Sequence, residues 1–120
     1  IIVPMPYGDG PDACLHLMSI ISFVDIDKAV VYSKYMPVFF REYLEARNIE
    51  LIECGDQEYD ALGTNLLALE PKKCVLIEGC PEIQKKLEDR GIEVITYKGQ
   101  EISYKGTGGP TCLTCPVCRK

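Results

Sequence analysis

The sequence predicts an α/β fold built from repeated ββαβ modules. The prediction rests on an internal repeat, on prolines that open two helices, and on a length of 120 residues that suits one domain. Met36-Pro37 aligns with Cys80-Pro81, and the segment from Leu44 to Ile52 then aligns with the segment from Leu87 to Ile95. A slip of one residue at the helix start reconciles the two alignments.

The first module is predicted to contain two strands, a helix and a third strand. Ser19–Val24 and Ala29–Ser33 are short apolar runs with β-branched residues, and the polar turn between them predicts a hairpin. Apolar residues at helical spacing follow Pro37, whose missing N–H costs nothing at a helix start. Asn48 tolerates left-handed backbone and is predicted to end the helix. Ile49–Cys54 then supplies the third strand.

The second module repeats these elements in the same order. Thr64–Leu69 and Cys74–Ile77 are predicted to form its hairpin, and Pro81 opens its helix. Gly91 is predicted to end that helix, and Ile92–Tyr97 forms the third strand. A ββαβ unit cannot bury both faces of its sheet alone, so neighbours of the same kind are expected.

A third module is predicted to begin near the end of the sequence. Residues 99–104 have the composition of a short helical turn, and a glycine-rich run then leads into an apolar segment. We therefore expect modules over 16–54 and 63–97, followed by a strand over 106–118. A third module that is begun and not completed predicts that further modules, or another chain, complete the assembly. A homo-oligomer is one form that such an assembly takes.

Composition narrows the classes of function. The net charge is −5 and no basic patch is present, which argues against nucleic acid and anionic membranes as partners. No apolar run reaches the roughly 20 residues of a membrane span, and the first residues lack the features of a signal peptide. Seven cysteines cannot all pair, so we expect reduced thiols in a cytoplasmic protein.

A candidate site follows from the repeat. His16 precedes the first strand of module one, and Cys112 opens the unfinished third module. In an array of like modules around an axis, equivalent strand ends converge on one face, so the two side chains are expected to meet. A Cys–His pair is the minimal constellation for thiolate catalysis. The glycines at 106, 108 and 109 allow positive φ and close approach of a ligand. The alternative to a catalytic pair is a histidine with a structural role and a cysteine that packs in the core.

Two segments carry a family resemblance. GTGGPTCLTCPV resembles the nucleophile segment of the guanidine-modifying superfamily, which includes arginine deiminase and dimethylarginine dimethylaminohydrolase. CLHLMSIISFVDIDKAVVYS resembles the histidine segment of the same superfamily, and the two segments occur in the family's order. The resemblance implies the pentein fold, an α/β propeller of five ββαβ modules around a central site. The chain is then a partial α/β propeller, with two modules and the first strand of a third.

The resemblance also implies a chemistry for each candidate residue. Cys112 is expected to attack the guanidinium carbon of arginine or a related guanidine. His16 is expected to protonate the departing amine and then to activate water against the covalent intermediate. Gly108, Gly109 and Thr111 are expected to bind the substrate, and no cofactor is implied. The alternative within the superfamily is an amidinotransferase.

The chain departs from the family pattern in two places. Met18 stands where deiminases and amidinotransferases carry an aspartate that grips the guanidinium, a residue that the dimethylarginine branch also lacks. The family's other carboxylates precede the histidine segment, and Asp9 and Asp12 match none of its motifs. We therefore expect the 120-residue chain to show no useful turnover without the missing modules.

A metal site is the rival interpretation of the cysteines, in a non-catalytic module. Cys112, Cys115 and Cys118 have the short spacing of zinc or iron–sulfur ligands, with a fourth ligand available from Cys14, Cys54, Cys74 or Cys80. Residues three apart on a strand point to opposite faces, which disfavours this set, so no metal is expected. Cys54 and Cys74 are predicted to lie in the core, and packing is also the favoured role of Cys80.

Overall fold

The computed structural model describes residues 1–8, 10–12 and 16–118, and it opens with a three-stranded mixed sheet. Its elements are β1 (Ile21–Asp25), β2 (Lys28–Val31), α1 (Val38–Glu45) and β3 (Glu50–Glu53). Strands β1 and β2 form an antiparallel hairpin, and β3 pairs in parallel with β2 after the α1 crossover. The predicted ββαβ module is confirmed.

A second sheet of the same construction follows a short connecting helix. Its elements are α2 (Asp56–Asp60), β4 (Leu67–Glu70), β5 (Lys73–Ile77), α3 (Pro81–Glu88) and β6 (Glu93–Tyr97). Strand β5 is central, antiparallel to β4 and parallel to β6. A π-helical turn over Gln100–Tyr104 then confirms the predicted turn after the second module.

The repeat extends to strand register and to helix ends. The parallel ladder begins at Lys28 opposite Glu50 in the first sheet and at Lys73 opposite Glu93 in the second. Each hairpin has a register shift beside its turn, after Phe23 in one and after Ala68 in the other. Left-handed backbone terminates both helices, at Asn48 (φ 56°) and Gly91 (φ 71°), as the sequence predicts.

Both faces of β2 are buried, which explains its continuous apolar sequence. Ala29 and Val31 pack with Phe40 and Leu44 of α1. Val30 points to the other face and packs in a cluster that includes Ile52 and residues of the second module. The larger core therefore lies between the two modules, where the second covers the sheet of the first.

Polar contacts fix the second module on the first. The Ser22 hydroxyl donates to the Thr64 carbonyl (2.6 Å) and accepts from the Leu66 N–H (3.2 Å). On the helix side, Lys86 Nζ donates to the Glu53 carbonyl (2.8 Å) and Arg90 Nε to Glu50 Oε1 (2.6 Å). Strand β1 is thus joined to the residues just before β4 through the Ser22 side chain, and the Lys72 N–H adds a backbone hydrogen bond to the Val24 carbonyl (3.1 Å).

The prediction of a strand over 106–118 is wrong. Residues 105–107 and 110–113 form turns, and no residue from 106 to 118 lies in a strand. A strand needs a backbone partner, and the side chains of Asn65 and Thr111 make the contacts that hold this segment instead. The first strands of the modules also begin later than predicted, since Leu17–Ser19 forms a 3-10 turn.

Across the described residues, no helix is long and apolar enough to cross a membrane.

Candidate active site

Cys112 lies in a tight turn with its side chain exposed to solvent. Its N–H donates to the Gly109 carbonyl (3.1 Å), and so does the N–H of Leu113 (3.3 Å). An accessible sulfur is a requirement for a nucleophile. The structure therefore leaves the Cys112 sulfur accessible, as the predicted role of a nucleophile requires.

Cys54, Cys74 and Cys80 differ from Cys112, because all three are buried in the core between the modules. Burial raises the pKa of Cys54 to about 12, with a further contribution from the Glu58 carboxylate. Burial also raises the pKa of Cys74 and of Cys80 to about 11. The predicted packing roles of these residues are confirmed, and such thiols stay protonated at neutral pH.

Asn65 is the polar side chain that contacts the candidate nucleophile. It is buried, its Nδ2 donates to Cys112 Sγ (3.0 Å), and its Oδ1 accepts the N–H of Thr111 (3.0 Å). Sequence reasoning missed this residue, because one asparagine in an apolar run carries no catalytic pattern. The sequence does hold one signal, which is position. Asn65 directly follows Thr64, and the repeat places Thr64 in register with His16 and Cys112.

Thr111 connects the nucleophile segment to the second module. Its hydroxyl donates to the Leu66 carbonyl (2.9 Å), just as the Thr64 hydroxyl donates to the Ser19 carbonyl of the first module (2.7 Å). The same type of contact thus joins module one to module two and module two to the Cys112 segment. Thr111 is held in a defined position beside Cys112.

The glycines of this segment are required by space rather than by positive φ. A Cβ at Gly109 would lie 2.5 Å from Asn65 Cγ, and one at Gly108 would lie 3.1 Å from Cys112 Cβ. Neither glycine has a positive φ, whereas Thr107 does (φ 53°). The glycines at 106, 108 and 109 therefore do not use the positive φ that their residue type allows, and close packing is the reason for Gly108 and Gly109.

His16 is exposed and stands immediately before the 3-10 turn that leads to β1. Its carbonyl accepts the N–H of Ser19 (2.9 Å), and the Ser19 carbonyl in turn accepts the Thr64 hydroxyl. Within residues 16–118, no hydrogen bond joins His16 to Cys112, so their pairing stays a prediction. Met18 is half-buried in the same turn, Asp12 is exposed, and Asp9 lies outside the described residues.

In the described part of the chain, the three closely spaced cysteines do not form a metal site. Cys112, Cys115 and Cys118 are all exposed. No group of three or more His, Cys, Asp or Glu side chains among residues 1–8, 10–12 and 16–118 has the geometry to hold a metal ion. Cys14, one of the fourth ligands considered above, lies outside the described residues.

The comparison with known families assigns the chain to one of them. Residues 33–119, most of the chain and including the Cys112 segment, match the arginine deiminase family. The chain belongs to the arginine deiminase family. The predicted membership of the guanidine-modifying superfamily is confirmed.

Two curated relatives of this family member come from mycobacteria. It is 34% identical over 116 residues to the 2-nitroimidazole nitrohydrolase of Mycobacterium sp. strain JS330, covering 95% of this chain and 30% of that protein. It is 29% identical over 136 aligned positions to the arginine deiminase of Mycobacterium marinum, covering 89% of this chain and 34% of that one. The chain thus spans about a third of the length of these relatives.

Solved structures confirm the fold class. The amidinotransferase SxtG of Microseira wollei, from saxitoxin biosynthesis, superposes with a TM-score of 0.74 at 18% identity. The superposition covers 88% of this chain and 34% of SxtG. This arginine deiminase family member therefore has the α/β propeller fold of the penteins, of which the two modules form a part.

Proposed function

We propose that this chain carries the nucleophile of a hydrolase that breaks a C–N bond of a guanidinium group. The observation that supports the proposal is the exposed Cys112 thiol, which receives the Asn65 amide at 3.0 Å in a segment that matches the arginine deiminase family. The substrate class is arginine or an N-substituted derivative. No cofactor is required, because a thiolate and an imidazole supply the chemistry.

The proposed reaction has two halves. In the first, the Cys112 thiolate attacks the guanidinium carbon, the C–N bond breaks, and His16 gives its proton to the departing amine. In the second, His16 takes a proton from water, and the resulting hydroxide attacks the amidino carbon and displaces the thiolate. The products are an amine or ammonia and a ureido compound. Gly108, Gly109 and Thr111 are proposed to contact the substrate, since their backbone lies beside Cys112.

The proposed site needs carboxylates to hold a cationic guanidinium. Met18 is not such a group, and neither Asp9 nor Asp12 is assigned to this role. The chain spans about a third of its relatives' length, so we propose that other modules, in the same or another chain, provide these carboxylates. Turnover is then a property of the complete assembly in the cytoplasm.

A second candidate substrate class is favoured by one observation. The mycobacterial relative that matches 95% of this chain is a 2-nitroimidazole nitrohydrolase. C2 of a 2-nitroimidazole resembles a guanidinium carbon, because both are planar and flanked by nitrogens. Attack of the Cys112 thiolate at that carbon would expel nitrite, and water would then release the thiolate.

Substitution of the thiol tests the proposal. Cys112→Ser is expected to reduce turnover by about 10³-fold or more, because the serine hydroxyl is a far weaker nucleophile at neutral pH. Cys115→Ser is the matched control, since it removes a second exposed thiol three residues away. Release of ammonia, amine or nitrite is measured with arginine, N-methylated arginines and 2-nitroimidazole. The protein is purified from its source with any partner chain retained, and the 120-residue chain is assayed beside it.

Each result has a distinct meaning. Nitrite release without guanidine hydrolysis selects the second substrate class, and transfer of the amidino group to an added amine selects an amidinotransferase. Full activity in Cys112→Ser would remove Cys112 as the nucleophile and favour a non-catalytic module. Rapid turnover by the isolated 120-residue chain would contradict the need for other modules.

A further inference from the structure

We infer that Asn65 is a positioning residue, whose amide holds the sulfur of Cys112 in place and donates a hydrogen bond to the thiolate that reacts. The inference rests on the proposed function for its catalytic meaning. The contact between the amide and the sulfur is observed in the structure, and the reactivity of the sulfur can be measured without turnover.

The orientation of the amide is fixed by its two partners. The Thr111 N–H can only donate, so the atom that faces it at 3.0 Å must be the acceptor, Oδ1. The NH₂ group is then directed at Cys112 Sγ, also at 3.0 Å. A flipped amide would place its NH₂ group against the Thr111 N–H, donor against donor, and lose that contact. The carboxamide therefore binds two successive residues of the nucleophile segment, with a different atom for each.

A donor at this position favours the anionic form of the sulfur. A thiol accepts a hydrogen bond weakly, whereas a thiolate accepts it as a charge-assisted bond, which is about twice as strong. Asn65 is buried, so water does not compete for its NH₂ group as it does at the surface.

The surroundings are shaped to keep this amide in place. A Cβ at Gly109 would come within 2.6 Å of Asn65 Cβ, Cγ and Oδ1, so a glycine is required where the nucleophile loop crosses the amide. Thr111 adds a second anchor through its hydroxyl on the Leu66 carbonyl (2.9 Å). Sulfur, amide and loop thus form one packed unit at the start of the second module.

Two substitutions test whether Asn65 controls the sulfur of Cys112 or only supports the loop that carries it. Asn65→Asp keeps the oxygen that accepts the Thr111 N–H but places a negative charge beside the sulfur. Asn65→Ala removes both contacts and adds no charge. If Asn65 controls the sulfur, the alkylation rate falls in the order parent, Asn65→Ala, Asn65→Asp. If Asn65 only supports the loop, the added charge still slows Asn65→Asp, but Asn65→Ala reacts no more slowly than the parent.

The readout is the rate of Cys112 carbamidomethylation by iodoacetamide between pH 6 and pH 10, with the site identified by mass spectrometry. The 120-residue chain is used in a background in which Cys14, Cys115 and Cys118 are replaced by serine. We expect Asn65→Asp to slow the reaction at pH 7 by about tenfold or more, because a carboxylate beside the sulfur disfavours the thiolate that reacts. Asn48→Asp, an exposed turn residue, is the control and is expected to match the parent.

The outcomes are decisive for either variant. An Asn65→Asp profile that superposes on the parent profile would overturn the inference, and so would an Asn65→Ala profile with an unchanged midpoint. Circular dichroism checks that each variant is folded, and Asn65→Ser, which also removes the NH₂ donor without adding a charge, replaces Asn65→Ala if that variant misfolds. A shifted profile in the 120-residue chain, together with no guanidine turnover by the complete assembly, would retain the role of Asn65 and reject the proposed function.

Discussion

At the scale of single residues, burial gives the cysteines of this chain different chemistry. Cys54, Cys74 and Cys80 lie in the core between the modules, where the pKa of each thiol is raised, mainly by burial. Cys112 lies at the surface, beside an amide that donates to its sulfur. The buried thiols act as small apolar groups, and the exposed thiol is available for reaction.

The buried thiols predict a loss of stability in alkaline solution. Their ordinary pKa is 9.0, whereas in the folded chain it is about 12 for Cys54 and about 11 for Cys74 and Cys80. Above pH 9 the unfolded chain releases these protons while the folded chain keeps them. The contribution of these thiols to the free energy of unfolding is therefore constant well below pH 9 and falls as the pH rises from 9 toward 11, by up to about 1.4 kcal/mol per pH unit for each thiol.

Urea denaturation under reducing conditions at pH 7, 8, 9 and 10 measures this slope. Cys54→Ala is expected to be less stable than the parent at pH 7, because it leaves a cavity. Its stability should nevertheless fall less steeply above pH 9. A parent protein whose stability is unchanged between pH 9 and pH 10 would contradict the prediction.

At the scale of elements, the short helix α2 caps the longer helix α3. Glu58 of α2 is buried, and its carboxylate accepts the N–H groups of Glu82 (2.7 Å) and Ile83 (2.9 Å) in the first turn of α3. These N–H groups have no partner within the helix, and a negative charge is favoured at a helix N-terminus. A Cβ at the adjacent Gly63 would lie 2.7 Å from the Glu58 carbonyl, so the junction is tightly packed.

Removal of this cap is predicted to destabilise the second module. Glu58→Ala should lower the free energy of unfolding by about 2 kcal/mol, since it leaves two N–H groups at the start of α3 without an acceptor. Gln57→Ala, a change of the exposed neighbour in α2, should stay within about 0.5 kcal/mol of the parent. Chemical denaturation of both variants provides the comparison. Equal stabilities would show that Glu58 is not an effective cap.

At the scale of the whole molecule, equivalent positions in the two modules differ in exposure. Val24 and Ile52 of module one are 1% and 2% exposed, whereas their equivalents in module two, Leu69 and Ile95, are 48% and 40% exposed. Module two covers this face of module one. By the same geometry, we propose that the exposed face of module two receives another ββαβ module, from the rest of a longer chain or from a second chain.

A matched pair of substitutions tests this asymmetry. Ile52→Lys buries an unpaired charge between the modules and should destabilise the isolated chain by more than about 3 kcal/mol. Ile95→Lys changes the equivalent residue on the exposed face and should alter its stability by less than about 1 kcal/mol. In the complete assembly, however, Ile95→Lys is expected to lower activity. Equal destabilisation of the isolated chain by both variants would contradict the proposed docking face.

The sequence pattern was sufficient to predict the two modules because the signals that define their elements act between neighbouring residues. Hairpin turns, a proline at each helix start, and Asn48 or Gly91 at each helix end act within a few residues. Helix α2 was missed because its acidic sequence has no apolar periodicity, and it is held by contacts with α3. The strand over 106–118 was wrong because strand formation depends on a partner, and this segment is held by side chains.

The sequence by itself determined the repeat, the order of elements, the family resemblance and the choice of Cys112 as candidate nucleophile. Each of these depends on residue type and spacing along the chain. Only the tertiary structure decided that Asn65 donates to Cys112, that Gly108 and Gly109 are needed for space, and that one face of module two is exposed. The hydrogen bonds of Asn65 join residues 46 and 47 positions apart, and a distance of 3.0 Å between such residues is set by packing rather than by local pattern.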